Sequence, residues 1–99
     1  MGNIYDKDGK KVGSRQGNEI YVDDKLVGRI QGDTLVDTNG HTVGQMKNDQ
    51  VLDSNGKEVF EIESQSILDK YSGNVDAKVD DKESVPAAAF YSLLKKNKS

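Results

Sequence analysis

Paired apolar residues recur along the chain at a nearly fixed interval. Ile4-Tyr5, Ile20-Tyr21, Leu35-Val36, Val51-Leu52 and Ile67-Leu68 follow one another every 15 or 16 residues. Seven or eight residues after the start of each pair stands a valine: Val12, Val27, Val43, Val59 and Val75. Glycine follows the first three, as Gly13, Gly28 and Gly44, whereas Phe60 follows the fourth and Asp76 the fifth. Self-similarity at a fixed period marks a repeat architecture. A unit this short has no room for a strand and a helix, but it suits two short antiparallel strands.

Between the apolar clusters lie turn signals. Asp6-Lys7-Asp8-Gly9, Asp37-Thr38-Asn39-Gly40 and Asp53-Ser54-Asn55-Gly56 carry the Asp-Gly and Asn-Gly pairs that tolerate positive φ and mark hairpins, and Asp23-Asp24-Lys25 and Ser72-Gly73-Asn74 fill the same place in units two and five. Gln16-Gly17-Asn18, Gln31-Gly32-Asp33 and Lys47-Asn48-Asp49 make turns between units. The expected fold class is therefore mainly β: an antiparallel meander of about five short hairpin repeats gathered into a barrel-like assembly. Strict alternation puts Val12, Val27, Val43 and Val59 on one strand face and Gly13, Gly28, Gly44 and Phe60 on the other. A recurrent strand glycine marks close backbone approach, and Phe60 then fills space the glycines leave open.

The pattern changes after the fifth unit. Residues 76–84 are charge-rich, with Ser84 placed to cap a helix ahead of Pro86, and a helix is expected from about Pro86 to Lys95. Phe90, Leu93 and Leu94 stand at helical spacing on one stripe, with Ser92, Lys95 and Lys96 opposite. The chain divides into a repeat domain over 1–80 and a C-terminal helix with a frayed tail over 81–99. Phe90, Leu93 and Leu94 are the candidate interaction residues: they form a lid on the domain's open end, or they meet a protein partner or a second copy. The same-chain lid is the favoured reading.

The run Ile4-Tyr5-Asp6-Lys7-Asp8-Gly9-Lys10-Lys11-Val12-Gly13 and its echoes over residues 4–79 resemble the bacterial β-flower families, which have four- or five-fold repeats. The resemblance implies short hairpins set as petals around a centre. Those families are functionally uncharacterised, so it brings no catalytic residues with it.

Composition narrows the functions available. The chain has 99 residues, 33% apolar and 31% charged, with a formal charge of -3, which argues against nucleic acid or an anionic membrane as the main partner. The absence of cysteine excludes disulfides, thiolate chemistry and cysteine-based zinc sites. The amino end lacks the basic start and apolar core of a signal peptide, and the longest apolar run, 85–91, is too short to span a bilayer, so a cytoplasmic location is expected.

Metal binding is the most tempting chemistry. Asp6 and Asp8, Asp37 and Asn39, and Asp53 and Asn55 each resemble the opening of an oxygen-rich calcium loop. Such a loop needs a bidentate Glu about six residues beyond its glycine, and those positions hold Arg15, Met46 and Ile62. These six residues are thus weak metal candidates, better read as turn caps. His41 has no nucleophile or second ligand beside it, and Glu58, Glu61 and Glu63 alternate with apolar residues as on a half-exposed strand. The expectation is a non-enzymatic module without cofactor, acting in binding or assembly. The alternative is a weak site for a divalent cation or small polar ligand at the Asp- and Asn-rich tips.

Overall fold

A computed structural model describes residues 2–97. Five hairpins follow one another: β1 (Gly2–Asp6) with β2 (Lys11–Gln16), β3 (Glu19–Val22) with β4 (Lys25–Gln31), β5 (Thr34–Asp37) with β6 (Thr42–Lys47), β7 (Gln50–Asp53) with β8 (Glu58–Glu63), and β9 (Ser66–Asp69) with β10 (Val75–Val79). Every strand pairs antiparallel with its neighbours in sequence, and β10 returns to β1 with Ile4 opposite Val79 and Asp6 opposite Ala77. The ring closes as a ten-stranded barrel, so no strand among the described residues is left with an unpaired edge.

Turn chemistry fixes the register. In the second hairpin Asp23 and Asp24 take φ of 53° and 65°, the twist a two-residue loop needs to match its strands. The links between hairpins place Gly17, Gly32, Asn48 and Ser64 at positive φ in the same structural slot, so the repeat keeps this left-handed geometry even where the residue is not glycine.

The expected two-face division of valine and glycine is overturned by a bulge in each hairpin. Tyr5 pairs with Lys11 and Ile4 with Gly13, which leaves Val12 as an extra residue, and Val27, Val43 and Val59 recur as the extra residue in units two to four. The bulge lets valine and its successor both meet the interior. Val59 and Phe60 are buried in one core, and Val12, Val27 and Val43 pack against it. In the fifth unit the turn is one residue longer, and Leu68 pairs with Val75 while Ile67 pairs with Ala77. Ala77, not Asp76, therefore occupies the glycine slot, and Asp76 occupies the valine slot.

Inside the ring, Ile4, Ile20, Leu35, Val51 and Ile67 are fully buried, one from each hairpin. A short 3-10 turn (Lys82–Ser84) leads into α1 (Val85–Asn97), which runs through this interior and touches β1 to β4, β6, β9 and β10. The four consecutive residues Ala87, Ala88, Ala89 and Phe90 are completely buried, so the helix is covered on every side. It is a plug within the barrel and not a lid over one end. An amphipathic stripe was expected; a helix enclosed by a closed wall needs small or apolar residues all round.

The plug and wall are matched in shape. A Cβ atom added at Gly28 would lie 2.5 Å from the Phe90 ring, and one at Gly44 would lie 2.5 Å from Leu93 Cδ1; each would also strike a backbone carbonyl of the next strand, Val36 or Leu52. Two bulky helix side chains, Phe90 and Leu93, thus face glycines of the wall. Ser92 and Phe60, the large residue in the fourth glycine slot, line one notch at the barrel's edge.

Polar contacts hold both helix ends. Asp81 caps the 3-10 turn that leads into α1: its carboxylate accepts the Ser84 amide at 2.8 Å. Ser84, directly before α1, is buried, and its Oγ accepts from Arg15 Nε at 3.0 Å. At the far end Lys95 pairs with Asp76 at 3.1 Å, so the helix holds its form through a segment expected to fray. The last two residues, 98 and 99, lie outside the described residues.

Candidate functional site

The first strands of four hairpins end in aspartate: Asp6, Asp37, Asp53 and Asp69. In three of them the side chain does the same work. Oδ1 of Asp6 accepts the amides of Asp8 and Lys10, that of Asp37 the amides of Asn39 and His41, and that of Asp53 the amides of Asn55 and Lys57, all at 2.9 Å. Asp69 closes its longer turn by accepting from Tyr71 and Ser72 at 2.9 Å. These carboxylates satisfy turn backbone that would otherwise face only water.

This geometry bears directly on the candidate metal ligands. Asp8, Asn39 and Asn55 sit on separate exposed tips, each contributing its amide to the neighbouring carboxylate, and among the described residues no three acidic or histidine side chains converge. His41 is exposed, with Nδ1 3.9 Å from Asp37 Oδ2, and Glu58 pairs with Lys70 at 3.4 Å. Of the candidate interaction residues, Phe90 and Leu93 lie within the chain's own barrel and Leu94 is half-buried, so a partner could reach Phe90 or Leu93 only if the helix left its seat.

Hydrogen bonds from the turn backbone lower the pKa of Asp6, Asp37 and Asp69. The Lys10 amide holds Asp6 below its ordinary 3.8, the His41 amide does the same for Asp37, and the Ser72 amide for Asp69, while hydrogen bonding to Ser84 lowers Asp81. A carboxylate depressed in the folded state stabilises the fold fully above pH 3.8, and that contribution is lost as pH falls through the lower folded-state value. The urea midpoint should therefore be level around neutrality and fall below about pH 4. Asp37→Asn keeps an acceptor but does not titrate, and it should make the acid limb shallower. An unchanged acid limb in this variant would show that the turn carboxylate does not contribute.

The same end of the barrel holds a second arrangement, which the sequence pattern concealed. Where the last turn of α1 emerges, Phe60, Asp69, Asp76, Ser92, Lys95 and Lys96 line a notch of about 320 Å³. Asp76 Oδ1 is held by Lys95, but its Oδ2 is sealed from solvent with no hydrogen-bond partner among the described residues, and so is Ser92 Oγ. Ser92 reads as a helix surface residue and Asp76 as a failed glycine; only the longer fifth turn, Asp69 to Asn74, hints that Asp76 moves into the valine slot.

No helix among the described residues is long and apolar enough to cross a membrane. Comparison of the chain with protein-family models, with curated proteins and with solved structures finds no match.

Proposed function

We propose that the chain is a non-enzymatic binding or assembly module, whose closed hairpin wall is held rigid from within by its own helix. The observation that supports this reading is the filled lumen. Barrels of this kind commonly take ligands in the interior or its mouth, and here Ala87 to Phe90 lie in that interior, completely buried. A macromolecular partner would be met by the outer wall and the hairpin tips. Five hairpins in a ring are compatible with the β-flower likeness, and on that reading this is a bacterial, cytoplasmic protein whose partner is another protein. The charge of -3 disfavours nucleic acid and anionic membrane surfaces.

Two measurements test the proposal. Immobilised protein should retain a specific protein from a lysate of its source cell, or a second copy of itself, and Asp8→Ala should retain it equally. Calorimetric titration with calcium should give no saturable heat. Heat with sub-millimolar affinity that disappears in Asp8→Ala would overturn the assembly reading in favour of an ion site at the tips.

A further inference from the structure

We propose that the notch beside the emerging helix binds a small neutral polyhydroxyl compound of monosaccharide size. Three independent features of the molecule lead there. The first is a departure from the repeat: in the bulge slot where four units carry valine, the fifth carries Asp76. Valine would fill that slot without polar atoms to satisfy, whereas Asp76 leaves a buried oxygen without a partner among the described residues, and the fully buried Ser92 adds a second. Unpaired buried polar groups destabilise a fold, and native structures keep few of them. Residues that break a local rule at the expense of stability mark functional positions.

The second feature is space. The notch opens beside both residues, and its volume of about 320 Å³ suits a compact ligand. Phe60 supplies an apolar part of its lining, against which carbon-bound hydrogens can rest.

The third is charge. Asp69, Asp76, Lys95 and Lys96 all line the notch, two negative groups and two positive, and Asp76 is already joined to Lys95 at 3.1 Å. An anionic or cationic ligand would have to displace one member of that pair. A hydroxyl group can serve both, donating to a carboxylate oxygen while accepting from an ammonium or from Ser92. The last torsion of an aspartate side chain is broad, so a modest turn of the Asp76 carboxylate brings its unpaired oxygen to the notch. Adjacent hydroxyls on a carbon ring present donors and acceptors at the spacing this mixture requires.

The test follows backbone amide resonances of the full chain during separate titrations with D-glucose, D-galactose, glycerol and, as a zwitterionic contrast, glycine. At least one hydroxyl probe should give saturable shifts at residues 60, 69, 76, 92 and 95, with an affinity in the millimolar range, about 1–10 mM. Asp76→Val should melt at or above the wild-type temperature and weaken binding at least about tenfold, which separates loss of a ligand contact from loss of fold. Ser92→Ala should also weaken binding, and it carries the test if Asp76→Val does not fold. The proposal is overturned if no hydroxyl probe saturates, if only glycine does, or if both variants bind like wild type. A protein partner retained equally by wild type and Asp76→Val would leave the assembly reading standing while this site fails.

Discussion

Replacing Gly44 by valine should unfold the protein or lower its urea midpoint by an amount corresponding to about 3 kcal/mol, although valine is the better strand former. The reason lies in two collisions with different consequences. A Cβ at residue 44 would meet Leu93 Cδ1 of the plug at 2.5 Å, and it would also strike the Leu52 carbonyl of the adjoining strand. The leucine can turn away into another rotamer, whereas a carbonyl in a closed ladder cannot move without opening its neighbours, because Gly44 is registered against Asp53 and Gln45 against Leu52. Leu93→Ala should therefore restore only part of the stability lost in Gly44→Val. A wild-type midpoint for Gly44→Val would show that the glycine is tolerated and not required.

The repeat was legible because each of its signals is local. Apolar pairs every 15 or 16 residues and the Asp-Gly and Asn-Gly tips located the five hairpins, and a glycine where β-branched residues are preferred signalled crowding at Gly28 and Gly44 before any contact was visible. What stayed hidden depends on closure or on a shift of one residue. Alternation assumes an unbroken pleat, so it placed valine and glycine on opposite faces, and a bulge in every hairpin cancelled that division. The single extra residue in the fifth turn disguised Ala77 as an outlier and Asp76 as its replacement. The helix stripe of Phe90, Leu93 and Leu94 was visible. Its enclosure was not, since a lumen exists only once β10 meets β1, and no segment of sequence encodes that meeting by itself. Ala88 and Ser92, both completely buried, are small because the wall encloses the helix at those positions.

Ending the chain after Ser84 should abolish the cooperative fold altogether. The removed segment contains Val85, Ala87, Ala88, Ala89, Phe90 and Leu93, all buried, and its departure would leave Ile4, Ile20, Leu35, Val51 and Ile67 lining an empty lumen. Deleting one buried phenylalanine or leucine alone typically costs about 2–5 kcal/mol, and a domain has only about 5–15 kcal/mol in total. Phe90→Ala should accordingly be strongly destabilising yet still fold, while the truncated chain should show neither a melting transition nor the circular dichroism of the barrel. The glycine-lined wall leaves too few side chains to collapse into the space, because Gly13, Gly28 and Gly44 have nothing to contribute there. A peptide of residues 85–97 would be a marginal helix alone in water, but added to the truncated chain it should restore a cooperative transition, with the two pieces sedimenting together. A truncated chain that keeps the wild-type melting temperature would mean that the hairpin ring stands unaided and that the plug is dispensable to it.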